Sequence, residues 1–233
     1  MTSLAVFGCS WAVGIGVAET DSWGARLSAK LSITNFTNLG INGSSNSRSV
    51  LQLLDYVKRT DIDIENSIAV FLITTPAREC ILLDKLRQPV DTTKSIFDVD
   101  DLDGFTVVDL RSGQTDELSQ NYVKHFTSIS TLNFNLHKNV LSMQAICRQY
   151  KIQDYYIVGW SDLDLNLPGI DTDKIYHKSC LQLFRYELPI YLMKKAPNQY
   201  LRECGHPNEL GHELIAQTLH TWITNQNNVQ PKI

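Results

Sequence analysis

The sequence contains no CxxC pair, no apolar run approaching the length of a membrane span, and no surplus of positive charge. Each absence closes off a class of protein. The five cysteines (Cys9, Cys80, Cys147, Cys180 and Cys204) are odd in number and scattered, which argues against a disulfide framework and a structural zinc site. They read as free thiols in a reducing compartment. A membrane helix needs about 18 or more consecutive apolar residues, and no stretch reaches that. The N-terminus has no positively charged segment leading into a signal-type apolar region, so residues 4–7 read as the first strand of the fold. The expectation is a protein made and folded in the cytoplasm with no membrane partner, compatible with later release or incorporation into a larger particle. Lys and Arg number 21 against 25 Asp and Glu, a formal charge of -4. That balance argues against a nucleic-acid partner, whose binder is normally basic.

What is present suits one globular domain. The chain has 233 residues, 43% of them apolar and 20% charged, enough to bury a substantial core. Residues 4–7 form a short apolar strand ending in glycine. Helical spacing follows over 22–31, with Trp23, Leu27 and Leu31 on one face. Residues 33–39 read as a second strand, stopped by the turn-rich "NLGINGSSN". The stretch 47–59 predicts an amphipathic helix facing inward through Val50, Leu51, Leu54 and Val57. "SIAVFLITT" at 67–75 is almost continuously apolar and β-branched, as in a parallel strand buried on both faces. Residues 77–130 fit neither period and read as an insertion with a small hairpin around 105–110. A helix over 132–150, a strand over 154–160 and a short strand over 188–192 follow. The final helix, 208–224, turns Leu210, Leu214, Ile215, Leu219 and Trp222 inward. Alternating strands and helices predict an α/β fold: a three-layer α/β/α sandwich on a mainly parallel, flavodoxin-like sheet of about five strands. In such sheets ligands bind beyond the carboxyl ends of the strands, the edge that collects residues 8–16, 38–46 and 74–79.

"LAVFGCSWAVGIG" invites a nucleotide reading, but its glycines stand at 8, 14 and 16. A dinucleotide fingerprint would need glycine where Glu19 stands, and a phosphate loop needs Gly-Lys-Ser/Thr, which is absent. A zinc-protease motif beginning at His212-Glu213 would need histidine where Ala216 stands. No cofactor and no metal are therefore expected. A nucleophile reading fares better. Ser10 follows a strand at the start of a turn, where its hydroxyl meets nearby backbone N–H groups. His206, in "ECGHP", precedes a helix and follows Glu203 by three residues. An acid so placed can fix the tautomer of an imidazole whose other nitrogen faces a serine. Singly, each residue has a plain structural role: Ser10 as a turn cap, His206 as a surface histidine before Pro207 at a helix start, Glu203 as a solvated charge. Their joint placement at the two ends of the chain favours chemistry.

At these residues the sequence resembles the SGNH, or GDSL-type, hydrolases. "VFGCSWAVGIG" is similar to the family's first block, with Gly-Cys-Ser where the family has Gly-Asp-Ser. "NLGINGSSN" resembles the second block, whose later glycine, here Gly43, gives an oxyanion N–H. "ECGHPNELGHELIAQTL" resembles the last block, with Glu203 where aspartate is more usual. The blocks fall in order over nearly the whole chain apart from residues 77–130, which implies a single SGNH-like domain over 1–233. The resemblance implies Ser10 as nucleophile, His206 as base and Glu203 as its acid. Cys9 is the competing nucleophile, but neighbours after a strand point opposite ways, which favours Ser10. The third block departs further. The family's Gly-x-Asn-Asp is replaced by "ITTPARE", without asparagine. An oxyanion donor is worth roughly 3–4 kcal/mol, about 10²–10³ in rate. Thr75 or Arg78 can donate in its stead, beside the N–H groups of Ser10 and Gly43.

The implied activity is hydrolysis of esters through an acyl-enzyme on Ser10. The acid-rich insertion favours small acyl groups, such as O-acetyl, on a polar or carbohydrate carrier. Two other readings rest on the same residues: a non-catalytic member binding a glycan or a protein, and an acyltransferase passing the acyl group to an alcohol.

Overall fold

The computed structural model describes residues 2–84, 101–102, 105–110, 117–159, 163, 165, 167–185 and 198–229. Its strands are β1 (Ser3–Phe7), β2 (Asn35–Asn38), β3 (Ser67–Ile73), β4 (Glu79–Asp84), β5 (Asp101–Leu102), β6 (Phe105–Leu110) and β7 (Gln153–Val158). Its α-helices are α1 (Ser10–Val13), α2 (Trp23–Lys30), α3 (Asn46–Tyr56), α4 (Glu117–Phe126), α5 (Ile129–Gln149), α6 (Cys180–Leu183) and α7 (Glu209–Val229).

The main sheet runs β2-β1-β3-β7, and every neighbouring pair is parallel. It has four strands among the described residues, one fewer than the sequence suggests. The expected strand over 188–192 lies outside the described residues. β1 and β3 are buried at every position because both faces are covered, which is why they read as unbroken apolar runs. Alternation along the strands sorts the core into two layers. Leu4, Val6, Ile68, Val70, Leu72, Tyr155 and Ile157 meet Trp23 and Leu27 of α2 and Ile215 and Leu219 of α7. Ala5, Phe7, Ala69, Phe71, Ile73, Tyr156 and Val158 meet Leu53 and Tyr56 of α3 and Val140, Met143 and Cys147 of α5. Phe7, Phe71 and Tyr156 stack in a row across the second face, with centroids 4.7 and 5.0 Å apart. This is the three-layer α/β/α arrangement.

Serines start four of the helices. The side chains of Ser22, Ser45, Ser128 and Ser179 accept from the backbone N–H of Ala25, Arg48, Thr131 and Gln182, satisfying donors that the first helical turn leaves open. Two inward positions expected from the sequence lie outside instead. Leu54 is 41% exposed and Leu210 59% exposed. The buried stripes run through Leu53 and Tyr56 on α3, continued by Val57 at its end, and through Ile215, Ala216, Leu219 and Ile223 on α7. Within 77–130, β4, β6 and β5 form a separate antiparallel sheet, which contains the expected hairpin. α4 follows it and was not foreseen. All five cysteines are free thiols. Among the described residues no helix is long and apolar enough to cross a membrane.

Candidate active site

Because β1, β2 and β3 are parallel, the segments that follow them leave the sheet at one edge. Three hydrogen bonds weave the first two together. Leu39 N–H donates to Val6 O (2.7 Å), Ile41 N–H to Gly8 O (2.9 Å), and Ser44 Oγ to Gly8 O (3.3 Å). Asn38 works from the end of β2. Its Nδ2 donates to Ala12 O (3.0 Å), and its Oδ1 accepts from Gly40 N–H (3.0 Å). The turn that starts there packs so closely on α1 that a Cβ at Gly40 would stand 2.7 Å from Val13 N and 3.0 Å from the Ala12 carbonyl carbon. Gly43 has φ +79°, a left-handed conformation that suits glycine. Asn46, at the start of α3, ties this turn to the end of β3. Its Oδ1 accepts from Thr74 N–H (2.9 Å) and its Nδ2 donates to Thr74 O (3.0 Å).

Ser10 is the first residue of α1 and is 6% exposed. Its carbonyl accepts from the N–H groups of Gly14 and Ile15. Its hydroxyl makes no hydrogen bond among the described residues, to His206 or to any other. Cys9 is fully buried in the core layer beneath α2 and α7. Of the expected oxyanion donors, Arg78 lies against the second turn, with Nη1 3.5 Å from Ser44 O and 3.3 Å from Thr74 Oγ1. Thr75 is half-buried and its Oγ1 accepts from Ala77 N–H (3.3 Å), which leaves its own hydroxyl proton for another acceptor.

The far end of the chain is brought against the first block. Leu201 and Pro207 form an antiparallel bridge. Between them, Arg202 N–H donates to His206 O (2.8 Å) and Gly205 N–H to Arg202 O (2.8 Å). This closes a tight loop with Glu203 and Cys204 exposed at its tip and His206 half-buried. Asn208 then opens α7, with its Oδ1 accepting from Gly211 N–H (3.0 Å). The Arg202 side chain lies over Gly16, where a Cβ would stand 3.0 Å from Cδ and Nε, and it pairs with Glu209 at 2.7 Å. One turn into α7, His212 is fully buried, and its Nδ1 accepts from Trp23 N–H (3.1 Å). Burial, and secondarily the Arg26 charge, lower its pKa to about 4.

Among the described residues no hydrogen bond pairs Glu203 with His206. Cys204 Sγ stands 3.3 Å from Nδ1 of His206. Sequence reasoning also missed Asn38 and Asn46, although they bracket the quoted "NLGINGSSN". A side chain that pairs with a strand end 28 residues away leaves no local pattern. Among the described residues no group of three or more His, Cys, Asp or Glu side chains is arranged to hold a metal ion.

No protein-family model matches the sequence, and no curated protein does. Solved structures do match. The psychrotrophic esterase EstA from a Pseudoalteromonas species, inhibited by monoethylphosphonate, aligns at TM-score 0.53 with 8% identity, over 97% of this chain and 98% of its own. A member of the lipolytic protein G-D-S-L family from Veillonella parvula aligns at TM-score 0.50 with 14% identity, over 96% and 99%. A carbohydrate esterase whose active site is described as displaying divergent catalytic and non-catalytic binding functions aligns at TM-score 0.51 with 11% identity, over 96% of this chain and 65% of its own. The chain thus has the fold of the G-D-S-L, or SGNH, hydrolases.

Proposed function

We propose that this protein is a serine hydrolase of carboxylic esters, removing small acyl groups from a polar or carbohydrate carrier. The observation that carries the reading is the convergence of the β1–α1 turn with the 40–44 turn and the Arg78 guanidinium at one sheet edge, with the 202–206 loop anchored on Gly16. Ser10 Oγ attacks the acyl carbon while His206 takes the hydroxyl proton. The resulting oxyanion is held by the N–H groups of Ser10 and Gly43, with Arg78 or Thr75 in place of an asparagine amide. Collapse expels the alcohol, which leaves with the proton from His206. Water then repeats the sequence on the acyl-enzyme, releasing the acid and restoring Ser10. Glu203 orients His206, which requires its exposed carboxylate to take the position beside Nδ1 where the Cys204 thiol now lies. A thiol sulfur is a weak acceptor, so the carboxylate is the better partner for an imidazolium. Likeness in fold to a carbohydrate esterase supports the choice of carrier.

The test is labelling by a fluorophosphonate probe together with hydrolysis of p-nitrophenyl acetate, with Ser10→Ala as control. Both are expected in the native protein and neither in the variant. A native protein inert to both reagents would end the hydrolase reading. A second reading, a non-catalytic glycan or protein binder, draws on the Ser10 hydroxyl, which has no hydrogen-bond partner among the described residues. Binding that survives Ser10→Ala and His206→Ala, without turnover, would favour it.

A further inference from the structure

Beside this edge the chain builds a second concavity, absent from the mechanism above. It is a groove of about 530 Å³ between α3, the start of β4, α4 and α5, within the 300–1,000 Å³ range of small-molecule sites. Its lining includes Ser47, one residue beyond the Asn46 that clasps Thr74, and Glu79, the residue after Arg78. Along the chain it therefore adjoins the residues proposed to donate to the oxyanion.

The lining has two characters. Phe126 is 59% exposed and stacks on Tyr122, with centroids 6.3 Å apart and planes at 11°. That gives a flat apolar platform open to solvent. Around it stand polar groups that have spare capacity. Tyr122 is 7% exposed, and its buried hydroxyl has no hydrogen-bond partner of good geometry among the described residues. Burial and the neighbouring Glu79 charge raise its pKa, and the Asn135 side chain offsets this only in part, so the phenol remains a donor. Glu79 and Lys138 face each other at 3.7 Å, a separation at which a hydroxyl can bond to both. Asn139 Nδ2 donates to Ser47 Oγ (2.9 Å), which fixes two further polar groups in the lining.

We propose that this groove binds the carbohydrate carrier of the ester, one sugar ring stacked on Phe126 and its hydroxyls bonded by Tyr122 and the Glu79–Lys138 pair. An acyl chain would bury those polar groups without partners, at a desolvation cost. A phosphorylated ligand would meet the Glu79 carboxylate. A sugar ring satisfies both halves of the lining, with its C–H face against the aromatic platform and its hydroxyls toward the polar groups. The inference rests on the hydrolase reading for the word carrier, since it makes the groove the alcohol side of the Ser10 site.

The experiment presents full-length Ser10→Ala protein, alone and combined with Phe126→Ala or Tyr122→Phe, to an array of acetylated and unacetylated oligosaccharides. Phe126 is exposed, so its truncation does not threaten folding. Binding to at least one oligosaccharide class is expected, reduced about tenfold by losing either group, the size of one aromatic contact or one buried hydrogen bond. With active protein, the ratio of kcat/KM on the acetyl ester of the bound glycan to kcat/KM on p-nitrophenyl acetate should fall to a similar degree in Phe126→Ala. No binding to any glycan, or binding indifferent to both substitutions, overturns the proposal. Glycan binding through Phe126 in a protein that no fluorophosphonate labels would instead end the hydrolase reading and leave the groove a glycan site.

Discussion

Acidification should loosen the seam between the two ends of the chain, and His212 sets how much. In the fold its Nδ1 accepts from Trp23 N–H at 3.1 Å, and the imidazole is fully buried. A proton on Nδ1 would turn that acceptor into a donor facing a donor. Burial first, then the positive charge of Arg26, lower the pKa from 6.5 to about 4. The unfolded chain takes up the proton as pH falls through 6.5, while the folded chain refuses it until about 4. Stability from the neutral imidazole is therefore complete above pH 6.5 and is lost progressively down to about 4. Linkage between those two values gives a loss of about 2 kcal/mol between about pH 7.5 and pH 5. Urea denaturation at both pH values, on the native protein and on His212→Asn, measures it. Asparagine keeps an acceptor close to the Nδ1 position but cannot titrate. Its own contribution to stability is the same at both pH values, so the native protein should lose about 2 kcal/mol more than the variant on acidification. Carboxylates such as Glu213, whose pKa is lowered chiefly by hydrogen bonds from Lys30 and Arg26, titrate in both proteins and drop out of the difference. Equal losses in the two proteins would refute the assignment.

Three further outcomes can be checked directly. Asn46→Ala strips Thr74 of both backbone partners, and chemical denaturation should register a loss of about 1–3 kcal/mol for each group left unpaired. Arg78→Gln should lower kcat on p-nitrophenyl acetate by about 10²–10³ with little change in KM if the guanidinium stabilises the oxyanion; a loss of that size in Thr75→Val instead would move the role to Thr75. Glu203→Gln should lower kcat by about a hundredfold or more and more steeply than Cys204→Ser, and the reverse order would give the orienting role to the thiol.

Local signals in the sequence were sufficient for most of the sandwich. β1 and β3 announce burial on both faces through continuous apolar composition, and α2 and α7 begin at side chains that cap helices. α4 was harder to see because two of its large apolar residues, Leu118 and Phe126, are exposed, so its apolar spacing marks no buried stripe. Leu54 and Leu210 misled because apolar residues three or four apart describe a face without saying whether anything covers it. Around the candidate site, the blocks that hold Ser10, Gly43 and His206 stand out in the sequence because each has its own turn chemistry. The clasp of Asn46 on Thr74, the contact of Cys204 with His206 and the seating of Arg202 over Gly16 depend on how loops close in three dimensions. Nothing within a few residues of each encodes them.

The seam at His212 also bears on when the molecule can become complete during synthesis. Trp23 and His212 are 189 residues apart in sequence, and β1 sits inside the sheet between β2 and β3. β1 therefore leaves the ribosome before both of its partners, which are made tens of residues later. The layer over α2 stays open until α7 has emerged. Contacts at such separations form late and slow folding. Until then a nascent chain exposes the apolar faces of Trp23 and Leu27, an invitation to chaperones or to aggregation, and Gly16 cannot yet receive the Arg202 side chain that packs on it.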